Sequence, residues 1–252
     1  MRNPFGWGLP EDISKHGAGI DQLIALIHVF MIVLFIGWAI FLTYTLIRFR
    51  QREGHKATYK LDHFKAPTYL EVGIAIFEFV LLIALATPIW YSIKNDPPSK
   101  DKAIQIRVVA QQFAWNIHYP GKDGIFGKTD PKLMDSSNPV GLDMSDPAAK
   151  DDITTINQLH VPIDMPVIIR LSSKDVIHCF DLPQMRVKQD VIPGMSTQVW
   201  FEAKKAGDFE IACAQLCGFG HYRMRGFFTA ETKDKFDAWL LEQGPAAGGI
   251  GS

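Results

Sequence analysis

The hydrophobic pattern divides the chain into an apolar N-terminal part and a remainder of shorter alternating segments. Residues 22–47 contain no Asp, Glu, Lys or Arg. A helix of that length, at about 1.5 Å per residue, exceeds the ~30 Å hydrocarbon core of a bilayer. Residues 66–93 form a second apolar run, with only Glu71 and Glu78 charged. Both runs predict transmembrane helices. A secretory signal peptide is the alternative for the first, but its apolar region is shorter and no small-residue cleavage site precedes Arg48.

The connection between the two runs, residues 48–65, is basic. It contains six Lys or Arg side chains against two acidic ones, and the positive-inside rule places such a loop in the cytoplasm. We therefore expect residues 1–21 and the C-terminal domain outside, which is the periplasmic side of a bacterial inner membrane.

The C-terminal part, residues 94–241, predicts an all-β domain because short alternating apolar segments are separated by Gly, Pro and Asp. Residues 120–152 lack periodicity and predict a long loop. A short helix is predicted at Lys233–Leu241, and residues 242–252 predict a flexible tail. The predicted strands are Ile104–Gln111, Val167–Ser172, Ser196–Phe201, Phe209–Ala212 and Gly226–Ala230.

Composition and cysteine content give no support for nucleic-acid binding, a disulfide framework or an attached haem. A hydrophobic content of 47% and a net charge of −1 give no indication of nucleic-acid binding. Three cysteines are an odd number and make a poor disulfide framework. The chain has no Cys-x-x-Cys-His motif, so we expect no covalently attached c-type haem.

Residues 213–224 concentrate metal-binding side chains: Cys213, Cys217, His221 and Met224. Thiolate and thioether donors beside imidazole favour copper, whereas a structural zinc site of the Cys2His2 kind, the alternative, has no use for methionine. With His178 upstream, the ligands suffice for two metal ions if each thiolate bridges both.

The pattern C-x3-C-x3-H-x2-M, preceded by His178, resembles the dinuclear copper (CuA) site of cytochrome c oxidase subunit II. The segments 175–180 and 183–194 are similar to neighbouring family segments. The resemblance implies a cupredoxin-like Greek-key barrel behind two transmembrane helices. It also implies the metal ligands, which are bridging Cys213 and Cys217, terminal His178 and His221, and axial Met224 and the Gln215 carbonyl.

Two positions depart from the family pattern. Gln215 stands where the family commonly has a glutamate that helps bind magnesium; the carbonyl role survives, but a neutral amide is a weaker ligand for a hard dication. Phe113 occupies the position of the family's exposed electron-entry tryptophan, and Trp115 matches the second tryptophan. The resemblance therefore places electron entry at Phe113 and Trp115, with a core aromatic as the alternative for Trp115.

Further residues carry more general expectations. Glu71 resembles the glutamate at the cytoplasmic mouth of a proton pathway, with an interfacial charge as the alternative. Glu78 has no family counterpart. Cys179 is expected to be a buried core residue, because it points away from the face of His178 on a strand. Aspartates of the long loop offer a docking face for a basic cytochrome, or only a solvated loop: Asp143, Asp146 and Asp151.

The resemblance implies subunit II of a respiratory cytochrome c oxidase. Such a chain accepts electrons from a c-type cytochrome and passes them to haem in subunit I, where oxygen is reduced; subunit III is a further expected partner. Two alternatives stay open at this point. They are the copper subunit of a nitric oxide reductase and a membrane-tethered copper-binding module.

Overall fold

The computed structural model describes residues 7–56 and 65–244. Predictions for residues 1–6, for 57–64 of the basic loop and for 245–252 of the tail lie outside the described residues. The chain divides into a helical unit and a β-rich unit, and residues 8–18 belong to the second.

The helical unit consists of α1 (Gly17–Arg48) and α2 (Ala66–Asn95), both long and apolar enough to cross a membrane. They contain the two predicted apolar runs. Ser14 Oγ accepts a hydrogen bond from the Gly17 N–H at 2.8 Å, which caps the start of α1. The predicted membrane anchor therefore has two helices of sufficient length.

One turn of α2, Leu81–Ala86, is a π-helix. Pro88 follows it and has no N–H to donate to the preceding turn. The Thr87 N–H and its hydroxyl both donate to the Leu82 carbonyl, the hydroxyl at 2.9 Å. A widened turn thus satisfies the backbone before the proline.

The β-rich unit is a sandwich of two five-stranded sheets, ordered β3-β2-β1-β5-β8 and β4-β10-β9-β6-β7. The pairs β1–β5 and β4–β10 are parallel and the others antiparallel. This confirms the predicted cupredoxin-like domain. The strands are β1 Ile104–Gln111, β2 Ala114–Tyr119, β3 Ile153–Ile156, β4 Gln158–Pro162, β5 Pro166–Ser173, β6 His178–Leu182, β7 Val187–Val191, β8 Thr197–Glu202, β9 Gly207–Cys213 and β10 Arg225–Glu231.

The core lies between the sheets. In β1, Ile106, Val108 and Ala110 point inward and are at most 1% exposed. Trp115 of β2 is fully buried and meets Phe180 of β6 edge to face, with ring centroids 5.4 Å apart. Helix α3 (Lys233–Gln243) closes one end of the sandwich.

The segment before α1 is part of this domain. Ile13 is only 2% exposed and joins the core, and Ser14 forms a β-bridge with Ala203. The Ile13 N–H donates to the Gln184 carbonyl, and the Lys204 N–H donates to the Ile13 carbonyl. Sequence analysis predicted an outer segment here but no docking onto the β-domain.

The long loop between β2 and β3 has an ordered structure with short 3₁₀ turns at Pro131–Leu133 and Pro147–Lys150. Val140, Leu142 and Ala149 pack against Val109, which lies on the outer face of β1. The loop therefore covers the outer face of the first sheet with a small apolar cluster of its own.

Candidate metal centre

The proposed ligands come together because of strand pairing. β6 and β9 are antiparallel neighbours, with Phe180 opposite Cys213, so His178 at the start of β6 lies close to Cys213 at the end of β9. The loop after β9 returns to the same place, since the Cys213 N–H donates to the Met224 carbonyl at 3.3 Å. Both ends of the ligand loop are thus fixed to the sheet.

The donor atoms converge on one small volume. Cys213 Sγ lies 3.8 Å from Cys217 Sγ and 3.9 Å from His178 Nδ1. Cys217 Sγ lies 3.6 Å from His221 Nδ1 and 3.7 Å from Met224 Sδ. Two ligands of one tetrahedral metal, at bond lengths of about 2.0–2.3 Å, lie about 3.3–3.8 Å apart. The spacing and the donor chemistry fit a copper site in which Cys217 has one imidazole and one thioether beside it, while Cys213 has the other imidazole.

Gln215 contributes its backbone to this volume. Its carbonyl oxygen lies 3.3 Å from Cys213 Sγ, while its side chain is exposed. The carbonyl, and not the amide side chain, is therefore the Gln215 group that lies beside the Cys213 thiol.

A hydrogen-bond network orients His178, which is fully buried, through partners that are nearer the surface. Its Nε2 bonds to Asp175 Oδ1 at 2.9 Å, which leaves Nδ1 toward the thiols. Asp175 Oδ2 accepts the Gln112 N–H at 2.7 Å, and Gln112 Nε2 donates to the Cys217 carbonyl at 2.7 Å. A carboxylate behind a ligating histidine fixes its tautomer and ring direction. Asp175 belongs to the segment 175–180 that resembles the family, but its role in orienting His178 was not predicted from the sequence.

Comparison with known protein families identifies the family of this chain. The model of the family "Cytochrome C oxidase subunit II, periplasmic domain" matches residues 104–229. The chain belongs to the cytochrome c oxidase subunit II family. The predicted family is therefore confirmed, and members of it are subunits of an oxidoreductase complex.

Two curated relatives and one solved structure are similar to this subunit II chain. It is 33% identical to the alternative cytochrome c oxidase subunit 2 of Bradyrhizobium diazoefficiens, over 98% of this chain and 87% of the relative. It is 24% identical to subunit 2 of Cereibacter sphaeroides, covering 94% and 80%. The crystal structure of the periplasmic domain of subunit II of cytochrome oxidase from Bradyrhizobium japonicum is 27% identical, with a TM-score of 0.41, covering 56% of this chain and 92% of that one.

The two thiols of this subunit II chain differ in acidity. Burial raises the pKa of Cys213, but the hydrogen bond with His178 and nearby backbone groups bring it down to about 6. Burial raises the pKa of Cys217 to about 11, and the charge of Cys213 adds to the effect. A bound cation stabilises both thiolates and reverses the repulsion between them.

The position of the family's entry tryptophan is half-buried. The ring of Phe113 lies against the ligand loop, since a Cβ at Gly220 would be 2.5 Å from Phe113 Cδ2. Gly218 adopts φ +129°, and a Cβ there would be 2.5 Å from Gln112 Nε2. These two glycines let the loop pack onto Phe113. Trp115 is fully buried and meets His178 edge to face at 6.1 Å.

The outer surface of the ligand loop is apolar, which sequence analysis did not notice. Three large side chains there are at least 78% exposed: Leu216, Phe219 and Tyr222. The signal available in the sequence was the presence of aromatic residues at loop positions between the ligands. The three side chains lie in the segment between the proposed ligands Cys213 and Met224.

Three further residues predicted from the sequence lie outside the ligand loop. Glu71 and Glu78 are exposed on α2. Cys179 is 2% exposed, and burial together with a hydrogen bond to Asp190 raises its pKa to about 12. Its acidity and burial fit a core thiol.

The loop aspartates bind backbone groups of their own loop. Asp143 accepts from the Ser145 N–H at 2.9 Å, and Asp146 accepts from the Lys128 N–H at 2.9 Å. Asp151 accepts from the Asp123 N–H at 3.2 Å. These carboxylates therefore stabilise the turns of the loop.

Proposed function

We propose that this chain is the electron-accepting subunit of a respiratory oxidase and holds a dinuclear CuA centre. When bound, the copper pair supplies reversible one-electron transfer between a c-type cytochrome and haem in subunit I. The observation that carries the proposal is the convergence of two thiols, two imidazole nitrogens, a thioether and a carbonyl on one volume. Cys213 and Cys217 would hold both copper ions, and His178, His221, Met224 and the Gln215 carbonyl would complete the ligand set.

The residues around the centre hold its ligands in place before any metal binds. His178 is fixed by Asp175, Cys213 by strand β9, and the loop by Gln112 and the packing of Phe113. Rigid ligands suit electron transfer, because little rearrangement then accompanies a change of charge. A membrane-tethered copper donor needs an open, exchangeable site, and Cys217 and Met224 are each only 3% exposed.

The membrane arrangement is proposed from both parts of the chain. Ile13 and Ser14, just before α1, pack within the β-domain. The N-terminal end of α1 and the β-domain then lie on one side of the membrane, and the basic segment 48–65 on the other. The positive-inside rule makes the domain's side periplasmic. Subunits I and III are the proposed membrane partners, and Glu71 the entrance of a proton pathway into subunit I.

Gln215→Ala is expected to leave copper binding and the copper spectrum nearly intact, because only the Gln215 carbonyl faces Cys213 and the amide side chain is exposed. Manganese is expected to bind weakly beside the copper in the whole complex, because a neutral amide is a weaker ligand for a hard dication than a carboxylate. Electron paramagnetic resonance of the purified oxidase checks both. A tight, copper-coupled manganese signal in the native complex contradicts the weakening of the magnesium role by glutamine.

Electron arrival tests the function itself. Oxidised, copper-loaded complex is mixed with reduced soluble cytochrome c in a stopped-flow instrument at several salt concentrations. We expect rapid copper reduction, only modest slowing by Phe113→Leu, and slower association with weaker salt dependence when Asp143, Asp146 and Asp151 are changed to Asn.

Asparagine keeps one acceptor oxygen, which suffices for the backbone bonds of Asp143 and Asp151. Asp146 uses both oxygens, and asparagine can keep its shorter bond, from the Lys128 N–H at 2.9 Å, in place of the one from the Ala148 N–H at 3.4 Å. Asp208→Asn, on β9, is the matched control for charge removal outside the loop. A large loss with Phe113→Leu and none with the aspartate changes means that electrons enter at the ring and that the docking surface is wrongly placed. No reduction by any cytochrome c contradicts the proposed donor.

A further inference from the structure

A row of basic side chains crosses the outer face of the first sheet. This face is turned away from the core between the two sheets. Arg107 of β1 is the direct neighbour of His118 on β2 and of Arg170 on β5. Like charges directly opposite one another on adjacent strands destabilise a sheet. Burial lowers the pKa of Arg107, and the charge of Arg170 lowers it further against the opposing effect of Asp152. The fold therefore holds two guanidinium groups together at a cost.

Asp152 offsets the positive charge of this pair only in part. Asp152, the fully buried carboxylate in this region, already bonds to His118 Nε2 at 2.6 Å and to the Gly127 N–H at 2.9 Å. In the part of the chain that the structure describes, neither arginine lies within ion-pair distance of a carboxylate. Arg107 is instead held over the ring of Phe126, 4.1 Å from its centroid.

Arg107 and Arg170 both line a cavity of about 470 Å³ between the sheet and the long loop. Its volume lies within the range of ligand sites. Ser172 lies on the same face of β5 as Arg170 and adds a hydroxyl group, and the loop contributes apolar walls from Met134 and Val140. The cavity thus combines a cationic, hydrogen-bonding floor with an apolar roof.

We propose that this cavity binds a small organic carboxylate, with its head group on Arg107 and Arg170 and its apolar body under the loop. The planar fork of arginine matches a carboxylate in a bidentate manner. The anion removes the repulsion between the two strands, and its body fills the apolar part of the cavity. The site lies on the sheet that carries no copper ligand, so it is separate from the electron-transfer centre.

Fluorine NMR of para-fluorobenzoate with the copper-loaded full-length chain in detergent tests this. We expect saturable binding, weakened at least about tenfold by Arg170→Gln, since a lost charge-assisted hydrogen bond has an effect of that size. Arg170 is exposed, so its replacement should leave the fold and the copper spectrum unchanged. Arg50→Gln, in the segment after α1, is the control for removal of one arginine charge and should bind as the native chain does.

Two further probes separate the parts of the proposal. para-Fluorobenzyl alcohol, which has the same body without the charge, should not bind. Inorganic phosphate, a head group without the body, should displace the probe only poorly. Equal affinity in native and Arg170→Gln chains, equally tight binding of the alcohol, or easy displacement by phosphate each overturns the assignment.

Discussion

Cys217→Ser is expected to abolish the copper centre in the assembled protein. Cys217 Sγ lies within 3.8 Å of three proposed ligand atoms, Cys213 Sγ, His221 Nδ1 and Met224 Sδ. A hydroxyl group is not a soft bridging anion and ionises far less readily than a thiol. We expect copper per chain, measured by elemental analysis after removal of loosely bound metal, to fall to near zero.

Cys179→Ser is the matched control, because Cys179 neighbours His178 in sequence but is buried beside Asp190. It should retain the native copper content and spectrum. Retention of full copper by Cys217→Ser, or an equal loss in Cys179→Ser, means that the thiols do not have the roles proposed for them.

Asp175→Asn is expected to weaken copper binding by about 10–100-fold, the usual cost of removing a group that orients a ligating histidine. Asp175 Oδ1 accepts hydrogen bonds from His178 Nε2 and the Val176 N–H, and Oδ2 accepts one from the Gln112 N–H. An asparagine side chain has only one oxygen, so at least one of these donors then faces an NH2 group. Competition with a copper chelator of known affinity measures the change.

Asp208→Asn provides the comparison, since Asp208 lies on the same strand as Cys213 and accepts a hydrogen bond from Thr229. It should leave copper affinity within experimental error of the native value. If Asp175→Asn also has no effect, His178 does not depend on its carboxylate partner, and the rigid-ligand argument loses its main support.

The parts that sequence could predict are those with a local signal. The two membrane helices are visible in the sequence as long apolar runs. Strand β1 is visible because its inward-facing residues are apolar. The ligand loop is equally local, since Cys213 to Met224 span one short connection. Five strands were therefore predicted close to their observed positions.

The strands that were missed are buried on both faces or are very short. β2 is buried from Trp115 to Tyr119 without alternation, because the long loop covers its outer face. β6 is similarly buried on nearly every residue. Their burial depends on a loop and a sheet that are distant in sequence, so no local period marks them.

Contacts at long sequence separation also explain what was missed at the site. Asp175 and Gln112 meet across 63 residues. Ile13 precedes both helices in the sequence but packs in the core of the domain that follows them. The basic row is formed by register between β2, β1 and β5. Strand pairing of this kind cannot be obtained from spacing alone.

The central claim is a pair of copper ions held by two bridging thiolates, and copper counting combined with electron paramagnetic resonance tests it most directly. The purified complex, half-oxidised, should contain two coppers for each of these chains beyond those of the partner subunits. Its spectrum should show the hyperfine pattern of one unpaired electron shared equally by two copper nuclei. One copper per chain with the pattern of a single nucleus would contradict the account.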